Sequence, residues 1–99
     1  MKGETVKRIL FACGTGVATS AMVRYRVEEI LAELGYKGSY EAEQCAISEV
    51  HEREEDFDFI VSPNLKPDGL TKPYVFAYNI LAERDESEIV VQLKHLMEA

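Results

Sequence analysis

The sequence predicts an α/β fold: a three-layer sandwich on a four-stranded parallel sheet of order 2-1-3-4, with a cysteine at the end of strand one. Three observations carry this. Short apolar runs alternate along the chain with longer stretches of helical periodicity, the pattern of βαβ units and right-handed crossovers. The first run, Ile9-Leu10-Phe11-Ala12, is apolar at every position, as in a strand buried on both faces. It runs straight into Cys13-Gly14-Thr15-Gly16-Val17-Ala18-Thr19-Ser20, a tight loop that opens a helix. In a sheet of this order the strand sequence reverses beside strand one, and ligands bind at the carboxyl edge at that point. Cys13 falls there.

Each element has its own signal. Met1 to Thr5 are polar and expected to fray, and strand one is expected to span Val6 to Ala12. Helix one runs from Val17 to Leu34: Val23, Val27, Ile30, Leu31 and Leu34 make one stripe, with Arg24, Glu28, Glu29 and Glu33 off it. Gly35 stops it. Ser39 to Gln44 is strand two, with Tyr40 and Ala42 alternating against polar neighbours and Cys45 at its end. Ser48 to Glu55 is a short polar helix, and Phe57 to Ser62 is strand three. Pro63, Pro67 and Gly69 make Pro63 to Lys72 a loop. Pro73 opens strand four, Tyr74 to Tyr78. Asp85 with Glu88 reads as a capping-box variant for a last helix that buries Ile89, Val90, Leu93, Leu96 and Met97.

The chain has 99 residues and is 46% hydrophobic, which suits one domain over 1–99. A net charge of −7 argues against nucleic acid as main partner and against an anionic membrane surface. Acidic residues cluster in Glu49 to Asp58 and Glu83 to Glu88, while Lys7, Arg8, Arg24 and Arg26 are expected nearer the loop, as a positive rim or as plain solvated surface. No run is long enough to insert into a membrane or early enough for a secretory signal, so a cytoplasmic location is expected. The two cysteines are expected to be thiols.

The loop carries the chemistry. Successive backbone N–H groups, the hydroxyls of Thr15, Thr19 and Ser20, and the positive end of a helix dipole attract an anion, above all a phosphate. The same surroundings lower the pKa of a neighbouring thiol and make it a nucleophile. Several readings compete. A Cys-x-x-Cys redox pair would need cysteine at position 16, which is Gly; Cys45 remains as a redox partner. A cysteine phosphatase needs Cys-x5-Arg, because the guanidinium clamps the phosphate oxygens in the transition state, but position 19 is Thr. Asp68 alone could mimic that reaction's general acid. A plain strand-end cysteine, with glycines that only make a turn, is a further reading. A phosphoryl carrier fits the loop best, since lacking the arginine and the acid keeps hydrolysis of a thiophosphate slow.

At these residues the chain resembles the IIB component of the bacterial phosphoenolpyruvate-dependent sugar phosphotransferase system, and within it the galactitol type. The matching pieces are Ile9 to Met22, ILFACGTGVATSAM, and Gln44 to Val50, QCAISEV. Ala18-Thr19-Ser20 favours the galactitol over the ascorbate type, and the segments from Ser62 to Pro73 and Tyr74 to Ala82 match in layout only. The resemblance implies that Cys13 takes a phosphoryl group from a phosphohistidine on a IIA protein. It then passes the group to a sugar or sugar alcohol imported by the IIC membrane permease. Gly14, Thr15, Gly16, Val17, Ala18, Thr19 and Ser20 are implied as the phosphate-binding loop, with neither metal nor organic cofactor. The free-standing length weighs against the other use of such a fold, a phosphorylation-sensing regulatory module.

The remaining candidates read as follows. Cys45 is more a small buried hydrophobe than a second nucleophile. His51 and His95 are expected in solvent, and no His/Cys/Asp spacing marks a metal site. Arg24, one turn beyond Ser20, is either a docking residue on the loop rim or plain surface. Tyr25 and Tyr36 are expected to pack.

Overall fold

The computed structural model describes residues 6–14 and 17–99, with residues 17–20 described in their backbone only. Strands β1 (Lys7–Cys13), β2 (Tyr40–Ala46), β3 (Phe59–Ser62) and β4 (Tyr74–Phe76) form one sheet in the order β2-β1-β3-β4, and every pairing is parallel. Between and after them lie α1 (Val17–Glu33), α2 (Val50–Arg53), α3 (Tyr78–Leu81) and α4 (Ser87–Glu98).

The sheet's two faces are covered unequally. On one, Ile9, Phe11, Phe59 and Val61 pack against the stripe Val23, Val27, Ile30 and Leu31 of α1 and against Ile89, Leu93 and Met97 of α4. On the other, Leu10, Ala12 and Ile60 meet Val50 and Phe57, with Cys45, Ile47, Leu70 and Tyr74 at the margin. Both faces of β1 and β3 are therefore dry, which is why their sequences read as unbroken apolar runs. Helix α1 stops where glycine allows. Gly35 has φ +94°. Tyr36 N–H donates to Leu31 C=O at 2.8 Å and Gly35 N–H to Ala32 C=O at 3.1 Å, the two bonds of a Schellman motif.

Four expectations need correction. Strand four ends at Phe76, the partner of Ser62 at the end of β3. Ala77 N–H makes the last bond to that strand, at 2.7 Å to Ser62 C=O, and with no further partner the chain turns into α3, which buries Ile80. The polar helix expected over 48–55 is three consecutive single turns over 47–56, of which only Val50–Arg53 is α-helical. The capping box before α4 is one-sided. Asp85 Oδ1 accepts from Ser87 N–H at 3.0 Å and from Ser87 Oγ–H at 2.5 Å. These bonds, the hydroxyl's first, hold the Asp85 carboxyl below its usual range. Tyr25 is 69% exposed on the outer side of α1, whereas Tyr36 packs against the core as expected.

The loop between β3 and β4 is tied to the short helical turns. Glu54 is buried, and its carboxylate accepts Lys72 N–H at 2.9 Å and Thr71 N–H at 3.0 Å. The Lys72 bond is the largest cause of a Glu54 pKa lowered from 4.5, with the Thr71 bonds adding to it against the opposing cost of burial. His51, exposed as expected, lies with Nε2 2.7 Å from Asp68 C=O and ties the loop a second time. A carboxyl whose pKa is depressed by folding adds stability above its unfolded pKa and loses it as pH falls through the folded one. Wild type is therefore expected to be more stable than Glu54→Gln at neutral pH. The gap closes as pH falls below about 4.5, as urea unfolding at a series of pH values would show.

Candidate functional site

Cys13 is the last residue of β1 and is paired with Ala46 at the end of β2, at the carboxyl edge where the strand order reverses. It lies inside the strand, one position later than the sequence predicts the strand to run, and is 6% exposed. The pleat places it on the face of Ile9 and Phe11, which α1 covers. The chain re-enters helix at Val17, so the positive end of a 17-residue helix stands just beyond the thiol.

Of the predicted loop, Gly14 is exposed, and a side chain there would be close to its neighbours. A Cβ there would sit 3.1 Å from Ile47 Cγ2 and 3.4 Å from Asn64 Nδ2. Gly14 N–H donates to Asn64 Oδ1 at 3.0 Å. Thr15 and Gly16 lie outside the described residues, as do the side chains of Val17, Ala18, Thr19 and Ser20, whose backbone forms the first turn of α1.

Asn64 escapes a reading of the sequence, and so does the group around it. Its N–H donates to Ser62 Oγ at 3.0 Å, and Ser62 is fully buried. Its C=O accepts from the Tyr74 hydroxyl at 2.7 Å. Burial pushes the Tyr74 phenol up, the Ser62 hydroxyl opposes this, and negative charge on Cys13 adds to the rise, which puts Tyr74 within electrostatic reach of the thiol. The available signal was topological: in a 2-1-3-4 sheet the residues just after β3 lie beside the end of β1.

Beside this edge is an open groove of about 580 Å³, lined by Ile47, Pro63, Asn64, Leu65, Phe76 and Tyr78. Leu65 is 79% exposed, and the rings of Phe76 and Tyr78 stack with centroids 6.2 Å apart.

The expected positive rim does not form. Lys7 and Arg8 begin β1, six residues or about 20 Å of strand from Cys13. Lys7 Nζ donates to Ala99 O at 2.6 Å, and Arg8 pairs with Glu41 and Glu43. Arg26 pairs with Glu29 and Glu86. Arg24 lies over Phe11, is bonded to Glu28 at 2.7 Å and reaches Gln44 at 3.1 Å, so it braces α1 against β2. Arg53 pairs with Glu43. Among the described residues no cluster of three or more His, Cys, Asp or Glu could hold a metal ion.

The register also separates the two thiols. Cys45 pairs with Ala12, not Cys13, and lies on the face of Leu10 and Ala12. Successive side chains of a strand point to opposite faces, so Cys13 and Cys45 project from opposite sides of the sheet. Cys45 is half-buried, and burial pushes its thiol pKa up against the opposing charge of Arg53. A redox couple of the two is therefore poorly built. Cys45→Ala is expected to leave phosphoryl acceptance within about twofold of wild type, since it removes one sulfur from a sheet margin.

A parallel α/β sheet with a thiol at its switch point, before a helix N-terminus, can hold an anion beside a nucleophile. The chain matches the family described as "PTS system, Lactose/Cellobiose specific IIB subunit" over residues 8–90, and it belongs to that family of phosphotransferases in the sugar phosphotransferase system. It is 28% identical over 92 residues to the putative phosphotransferase enzyme IIB component SgcB of Escherichia coli K12, covering 93% of this chain and 98% of that protein. It is 37% identical over 54 residues to the ascorbate-specific PTS system EIIB component of Mycoplasma pneumoniae, covering 54% of this chain and 55% of that one. Among the described residues no helix is long and apolar enough to cross a membrane.

Proposed function

We propose that this chain is a cytoplasmic phosphoryl carrier of one domain that works through a phosphocysteine at Cys13. It accepts the group from a phosphohistidine on a IIA protein and delivers it to a sugar or sugar alcohol at a IIC permease. The observation that carries the reading is the position of Cys13, closing β1 at the switch point in front of α1. In the first step the Cys13 thiolate attacks phosphorus. The S–P bond forms as the N–P bond breaks, and the imidazole nitrogen keeps the electron pair. In the second, a substrate hydroxyl oxygen attacks the same phosphorus and gives up its proton, and the thiolate leaves with the S–P electrons. The amides from residue 15 to 20 and the end of α1 are the proposed phosphoryl cradle, with Gly14 leading into it. Neither metal nor cofactor is required for this transfer. Burial of Cys13 supports a long-lived intermediate by limiting the approach of water.

The groove around Leu65, Phe76 and Tyr78 is the surface we assign to the exchanging proteins, since Asn64, bonded to the residue after Cys13, lines it. For the acceptor we propose a sugar alcohol of galactitol type, on the Ala18-Thr19-Ser20 loop end. The family description names lactose and cellobiose, and one relative's name names ascorbate. The test is to load the protein with labelled phosphate and add vesicles carrying the IIC permease and single candidate sugars. Galactitol should discharge the label fastest. Discharge by cellobiose, lactose or ascorbate alone would replace that acceptor, and discharge to water at the same rate with or without any acceptor would remove the carrier reading.

A further inference from the structure

We propose that Asn64 is a positioning residue for phosphoryl transfer, a latch that holds the first peptide of the Cys13 loop; this rests on the carrier reading above. The side chain accepts the Gly14 N–H at 3.0 Å, across 50 residues of sequence, and Gly14 adjoins the nucleophile. Asn64 is itself held at both ends of its backbone, by the buried Ser62 hydroxyl at 3.0 Å and by the Tyr74 hydroxyl at 2.7 Å. The bonds thus run from β3 and β4 to the end of β1, and the Cys13–Gly14 peptide is fixed by the sheet and not by its own loop alone.

The latch has two consequences for transfer. First, the Gly14 N–H is held by Asn64 and is not the amide offered to phosphoryl oxygens. Second, the bond to Asn64 holds the Gly14 N–H in one direction, which restrains rotation of this peptide. In-line displacement at phosphorus needs the sulfur, phosphorus and leaving nitrogen aligned, and small displacements of one partner lower the rate steeply. In this account Asn64 acts through Gly14.

The experiment compares wild type, Asn64→Ala and Asn64→Asp. The kcat and KM for phosphorylation by a IIA protein charged from phosphoenolpyruvate are measured beside amide hydrogen exchange at Gly14. Asn64→Ala should lower kcat by about tenfold to a hundredfold with KM unchanged, and should speed Gly14 exchange. Asn64→Asp keeps an acceptor for that N–H, so it should retain slow Gly14 exchange and a kcat well above that of Asn64→Ala. If Asn64→Ala does not fold, Asn64→Asp decides alone: slow Gly14 exchange with a kcat within about tenfold of wild type supports the latch, and slow exchange with a larger loss overturns it. An unchanged kcat in Asn64→Ala, or a rise in KM alone, overturns the proposal, the latter making Asn64 a docking contact. A wild type that takes no phosphoryl group from an active IIA protein overturns the carrier reading itself, whereas a wild type that works and an Asn64→Ala equal to it overturns only the latch.

Discussion

Cys13→Ser is expected to abolish phosphoryl flow from phosphoenolpyruvate to substrate while leaving the fold standing. A serine hydroxyl is some orders of magnitude less ionised than a thiol at neutral pH and is the weaker nucleophile. The expected loss is at least about a thousandfold, to the background of the assay. Structurally the exchange is small. Cys13 is buried at 6% exposure, so the new hydroxyl must be hydrogen-bonded or costs about 1–3 kcal/mol. The melting temperature is therefore expected to fall by at most about 5–20 °C, with an unchanged circular dichroism spectrum at about 25 °C. Loss of transfer together with loss of folded signal would move Cys13 from chemistry to structure.

Phe59→Ala carries the largest stability effect. Phe59 opens β3 with no exposed surface, pairs with Ile9 across the sheet, and fills the face that α1 and α4 cover. Emptying such a site costs about 3–5 kcal/mol in lost burial and residual cavity. A domain of this size has about 5–15 kcal/mol of stability in all, so the variant should melt some 15–30 °C lower. Val91→Ala, at a position 65% exposed on α4, is the control and should stay within about 0.5 kcal/mol. A small shift in Phe59→Ala would contradict the assignment of this face as the principal core.

Legibility followed the range of the interactions. The apolar run Ile9 to Ala12, the stripe from Val23 to Leu31 and the stop at Gly35 are local, and a strand buried on both faces or a helix buried on one must display them. The parallel sheet followed from alternating strands and helices, the expected order 2-1-3-4 is the observed one, and the site's place followed from the order. Features set by distant partners were misread. Tyr74 to Tyr78 has strand-like composition, yet β3 offers no partner past Ser62, so Ala77 ends the pairing and α3 follows. One helical turn is too short to show a period. Lys7 and Arg8 are near Cys13 in sequence, but an extended strand carries them to the opposite edge of the sheet. Asn64 was silent because its bond to Gly14 spans the whole crossover and leaves no local pattern.

The central claim is a phosphocysteine at Cys13, and intact-mass analysis tests it most directly. Wild type, Cys45→Ala and Cys13→Ser are incubated with phosphoenolpyruvate, the general phosphotransfer proteins and a IIA protein shown to be active. The account predicts one phosphoryl adduct in wild type and in Cys45→Ala, with the lability of a thiophosphate and mapping to the Cys13 peptide, and none in Cys13→Ser. An adduct that persists in Cys13→Ser, or no adduct in wild type, would contradict it.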